Sequence, residues 1–150
     1  MAIRGFDSLA SKMNDGELML RKVIHMQARE TLSGADLLSG ENLTATCFEF
    51  NQCAIYFICL GETDEIEISK TAPNGHWVSS DVSHESPWSS VIGSELNNIW
   101  QLSNAKGYDD GVILQFGNNY GNIRVLLDSI ASRFSVFGVI PNESQMVTHA

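Results

Sequence analysis

The sequence predicts a mainly β domain, α+β at most: an antiparallel meander of about seven strands forming a curved roll or open barrel, with little helix. Three observations carry that prediction. Two apolar runs, LTATCFEF and AIYFICL, are separated only by the turn residues Asn51 and Gln52 and so read as a hairpin. DEIEISK alternates strictly, with Ile66 and Ile68 on one phase and Glu65, Glu67 and Ser69 on the other. The last third then repeats a pattern of short alternating runs divided by Gly, Asn and Asp. A length of 150 residues matches one domain. Residues 17–140 are expected to form it, with 1–16 as a flexible N-terminal arm and 141–150 as a C-terminal tail.

The elements follow in order. GELMLRKVIHMQARE is rich in helix formers, yet its apolar residues also fall on both two-residue phases, so periodicity leaves helix and strand open. TLSGADLLSGEN is a long turn. In AIYFICL both faces are apolar, as in a strand covered on both sides. Residues 71–90 combine Pro, Asn-Gly, serines and two tryptophans and read as a long irregular connection. Leu96, Asn98, Trp100 and Leu102 share one strand phase, which places Trp100 in the core. GYDDG is a turn before VILQF, and Asn118, Asn119 and Gly121 turn the chain into NIRVLL, with RFSVFGV completing the meander.

Charge narrows the choice of partners. The net charge of −9 opposes nucleic acid and anionic membranes and favours a basic protein. All of the excess lies between residues 30 and 110, where 13 acids face only Lys70 and Lys106. No run approaches the roughly 18 apolar residues of a membrane-spanning helix, and no secretory leader is apparent, so a cytoplasmic location is expected. Cys47, Cys53 and Cys59 sit in apolar runs and read as free buried thiols.

ETDEIEIS (62–69) and PWSSVIGSELNNIWQLSNAKGYDDGVILQFG (87–117) resemble a family of small bacterial proteins of unknown function, over about residues 17–140. The patterns ETD-x-IEI and IW-x-L-x-N-x-x-GY-x-DG carry the likeness. The resemblance implies that residues 18–29 form an opening strand; it implies no activity.

Candidate sites follow from chemistry alone. Glu62, Asp64, Asp109 and Asp110 form either turn caps or an acidic patch that grips a cation or a basic protein. Trp77 and Trp88, in a polar loop, either fold over the sheet as a lid or are offered to a partner. His76, Asp81, His84 and Glu85 have the residue types of a metal site or of acid–base chemistry, but their spacing matches no motif, and no metal or other cofactor is expected. Ser94 lacks the G-x-S-x-G elbow, and no phosphate-binding loop occurs.

The expected function is therefore an acidic cytosolic binding module, such as an immunity-type or inhibitory protein engaging a basic partner. Two alternatives stand beside it. One is a small metal- or ligand-dependent enzyme using the 71–90 loop; the other is a scaffolding homodimer that pairs exposed sheet edges.

Overall fold

A computed structural model describes residues 3–28, 44–59, 65–103, 109–119, 121–130 and 133–141. The proposed turn over TLSGADLLSGEN, Glu62 and Asp64, the Gly107–Tyr108 start of GYDDG, and the tail beyond residue 141 lie outside them. The described chain runs α1 (Phe6–Asp15), β1 (Leu20–Ala28), β2 (Thr44–Phe50), β3 (Ala54–Cys59), β4 (Ile66–Ser69), β5 (Trp77–Asp81), β6 (Glu95–Ser103), β7 (Asp109–Asn118), β8 (Gly121–Ile130) and β9 (Arg133–Pro141). A 3₁₀ turn spans Trp88–Ser90.

The fold is mainly antiparallel β, as predicted, but the strands form two sheets and no closed barrel. One has the order β4-β3-β2-β1-β5 and the other β6-β7-β8-β9. Strand alternation sends one side chain set of each sheet inward. From the first sheet come Val23, Phe48, Ile55, Phe57, Ile66 and Ile68; from the second, Leu96, Ile99, Val112, Leu114, Phe116, Val125 and Leu127. Both sets belong to one buried cluster, so the architecture is two sheets sharing a core. Phe48 is the aromatic hub, edge-on to Phe57 at 5.1 Å and to Trp88 at 5.3 Å.

A backbone seam joins the sheets at one corner. The Leu20 amide donates to the Ser94 carbonyl at 2.9 Å, the Gly93 amide to Leu20 at 2.7 Å and the Leu96 amide to Leu18 at 2.9 Å. The start of β1 is thereby satisfied from the second sheet as well as from β2.

Four expectations are corrected. The N-terminal arm is instead a helix: Phe6, Leu9, Ala10 and Met13 lie at helical spacing, and this stripe packs on the core with Leu9 fully buried. Gly5 makes this docking possible, since it has φ 85° and a Cβ there would overlap the Ile68 carbonyl oxygen. Residues 71–90 are not wholly irregular, because β5 pairs along β1 from Ala28↔Trp77 to Ile24↔Asp81. Asp109 and Asp110 lie in β7, not in a turn ahead of it, and the register skips Asp110 as a bulge opposite Leu102 and Ser103. A second bulge at Asn97 shifts the phase of β6, so Ile99 enters the core and Trp100 points outward, half-buried, with the Arg124 guanidinium 4.8 Å from its ring centre.

A polar cleft at the end of the core

β1 is a strand, and alternation along it decides which of its polar residues face inward. Register aligns His25 with Thr46 on β2 and Ser80 on β5, on the face that carries Val23 and Phe48. Thr46 is 3% exposed and the neighbouring Thr44 is also buried, its hydroxyl donating to the Cys59 sulfur at 3.6 Å. The apolar core therefore gives way to a polar row at this end of the first sheet.

The chain after β5 closes over that row. The Val82 amide donates to the Val23 carbonyl at 2.9 Å, and the Ser83 hydroxyl accepts from the Val23 amide at 2.8 Å. Ser83 is held in turn by its own amide donating to Asp81 at 2.9 Å, and hydrogen bonds from Ser83 keep the Asp81 carboxylate below its ordinary range. The result is a cleft of about 230 Å³ lined by His25, Thr46, Val82, Glu85, Ser86, Pro87 and Trp88. Burial pushes the His25 imidazole below its ordinary range, and the Glu85 carboxylate opposes this without cancelling it. A neutral imidazole, a hydroxyl and a carboxylate thus meet in one small concavity. A second groove of about 270 Å³, beside α1, is lined by Gly5, Ser8, Leu9, Ile55, Ile68, Ser69 and Lys70 and pairs no acid with a base.

The expected site residues are dispersed. Trp88 is 4% exposed and packs on Phe48, so it belongs to the core, and it also lines the cleft. Trp77, the first residue of β5, is half-buried against a second cluster on the outer face of the first sheet, its indole N–H donating to the Asn74 carbonyl at 3.0 Å. His76 precedes β5 while His84 follows it, so the strand, about 13 Å from Trp77 to Asp81, stands between them. Glu85 turns instead to His25. Among the described residues no group of three or more His, Cys, Asp or Glu could hold a metal ion. Asp110 sits near Asp128 on the second sheet, while Glu49 and Glu67 lie on the first, so the described acids do not form one patch. Glu67 is moreover paired with Arg4 at 2.7 Å.

His25 and Thr46 went unremarked in the sequence, although a signal exists. Polar residues on the phase of Val23 and Phe48 are inward-facing and need a reason to be there.

Comparison with known proteins adds one finding. A model of a family of unknown function, DUF6334, matches residues 6–142. The chain belongs to this family. The match begins at the first residue of α1, so the family's extent includes the helix as well as both sheets. No curated protein and no solved structure matches the chain. Among the described residues no helix is long and apolar enough to cross a membrane.

Proposed function

We propose that this member of the DUF6334 family is a binding protein, inhibitory or immunity-type in character, that receives a cationic side chain of a basic protein partner in the His25–Thr46–Glu85 cleft. The carrying observation is the chemistry of the lining. A carboxylate and a neutral imidazole both offer acceptors, whereas lysine and arginine offer only donors. At about 230 Å³ the cleft falls below the roughly 300–1,000 Å³ of small-molecule sites and has room for one long side chain. The net charge of −9 supplies a long-range field that draws a basic partner in, a role that does not require the acids to be clustered.

The test is a titration of the full chain with lysine- and arginine-rich peptides, followed by the His25 imidazole resonances. Those resonances should shift with cationic peptides and not with matched glutamate-rich ones. Glu85→Gln should weaken the response at least about tenfold, the scale of one lost charge-assisted hydrogen bond. An equal response to both peptide types, or an unchanged response in Glu85→Gln, overturns the reading.

A further inference from the structure

The polar groups of the cleft sit at different depths. Glu85 and Ser86 are exposed at its rim, His25 is half-buried, and Thr46, Pro87 and Trp88 are buried at its floor. Thr46 stands apart from the rest. It is 3% exposed and lines the cleft, yet among the described residues its hydroxyl has no hydrogen-bond partner. Thr44, equally buried on the same strand, instead donates to the Cys59 sulfur. Leaving a buried hydroxyl unpaired costs free energy, and nearly all such groups in folded proteins are bonded. The Thr46 oxygen therefore asks for a donor that comes from the cleft side.

We infer that the cleft selects arginine over lysine in the basic partner, with the Thr46 hydroxyl as the group that makes the selection. This rests on the reading of the cleft as a receptor for a cationic side chain. A lysine ammonium carries all its donors on one strongly hydrated nitrogen, so it stays at the rim with the Glu85 carboxylate. An arginine guanidinium spreads its donors over several nitrogens in one plane. Entering tip first, it donates from its end to Thr46 at the floor and from the nitrogens nearer the mouth to Glu85. The neutral His25 imidazole, aligned with Thr46 across β1 and β2, offers a further acceptor and no opposing charge. Val82, Pro87 and Trp88 supply apolar walls, which suit the weakly hydrated faces of a guanidinium.

Titration of the full chain with two end-blocked peptides, identical except for one central arginine or lysine, tests this through the backbone amide resonances of β1 and β2. The arginine peptide should bind at least about tenfold more tightly, the scale of one added charge-assisted hydrogen bond. Thr46→Val, which keeps the shape of the side chain and removes its hydroxyl, should lose that preference by weakening arginine binding alone. Thr46→Ser should retain it. Because the hydroxyl is unpaired in the free chain, Thr46→Val should melt at the native temperature or above it, a result that a structural role for the hydroxyl would not give. Equal affinities for the two peptides, an unchanged preference in Thr46→Val, or a lower melting temperature for that variant overturns the inference and leaves cation binding in place. No response to either peptide overturns the reading of the cleft and the inference with it.

Discussion

The two sheets bury their inner faces alike, but their outer faces are built differently. On the first sheet Met26, Ala45, Cys47 and Ile58 form a second buried cluster, flanked by Ile24, Tyr56 and Trp77. On the second sheet the corresponding side chains, Trp100, Ile113 and Leu126, are only half-buried and are accompanied by Arg124, Gln115 and Asp128. Strands that look equally apolar on both phases therefore have different surroundings. Burial on the second phase means internal packing in one sheet and an accessible strip in the other.

Paired truncations sharpen this contrast most. Ile58→Ala, on the covered face, should lower unfolding free energy by about 2–4 kcal/mol, as for a buried aliphatic side chain. Leu126→Ala should cost about 1 kcal/mol or less when measured by denaturant. Equal costs for the two would erase the distinction between the faces.

A smaller effect concerns the polar end of the inner face. Because burial lowers the His25 imidazole in the folded state, the unfolded chain takes up this proton first as pH falls. The stabilising contribution is complete above about pH 6.5, the unfolded value, and is lost as pH falls through the lowered folded value. His25→Gln should flatten the thermal stability profile in that window and leave it unchanged near pH 8; a profile with its slope intact would assign the effect elsewhere.

The cysteines give the subtlest readout. Cys47 and Cys59 are buried, one on each face of the first sheet, and burial raises the Cys47 thiol above its ordinary range. Cys53 is half-buried, at the edge of the main core. Mass spectrometry after brief alkylation of the folded chain should find Cys53 modified first. Early labelling of Cys47 would mean that the covered face is open after all.

What could be read from the sequence depended on how local the signal was. The β2–β3 hairpin and β4 were legible because alternation and turn residues sit within a few positions of one another. β6 was legible as a strand but not in its phase, since one extra residue at Asn97 reverses every side chain after it. β5 was missed because WVSSD carries exposed serines and no alternating apolar face; it owes its structure to pairing with β1, about fifty residues earlier. The cleft was less legible still. His25 becomes notable only when the turn at Val82–Glu85, some sixty residues on, closes over it. α1 did have a signal, a two-turn stripe from Phe6 to Met13, but its place in the core depends on the backbone approach at Gly5.

The margins of the first sheet also limit how copies of this chain can grow on one another. β4 is four residues long, and its outer side is taken by Arg4, whose carbonyl accepts the Ile68 amide at 2.8 Å. β5, on the opposite margin, is five residues long and presents Ser79, Ser80 and Asp81, with Val78 its only large exposed apolar side chain. Short, polar or already occupied margins make poor templates for adding strands in series, the route by which sheet proteins form fibrils. Growth by strand addition is therefore restrained at both borders of the first sheet.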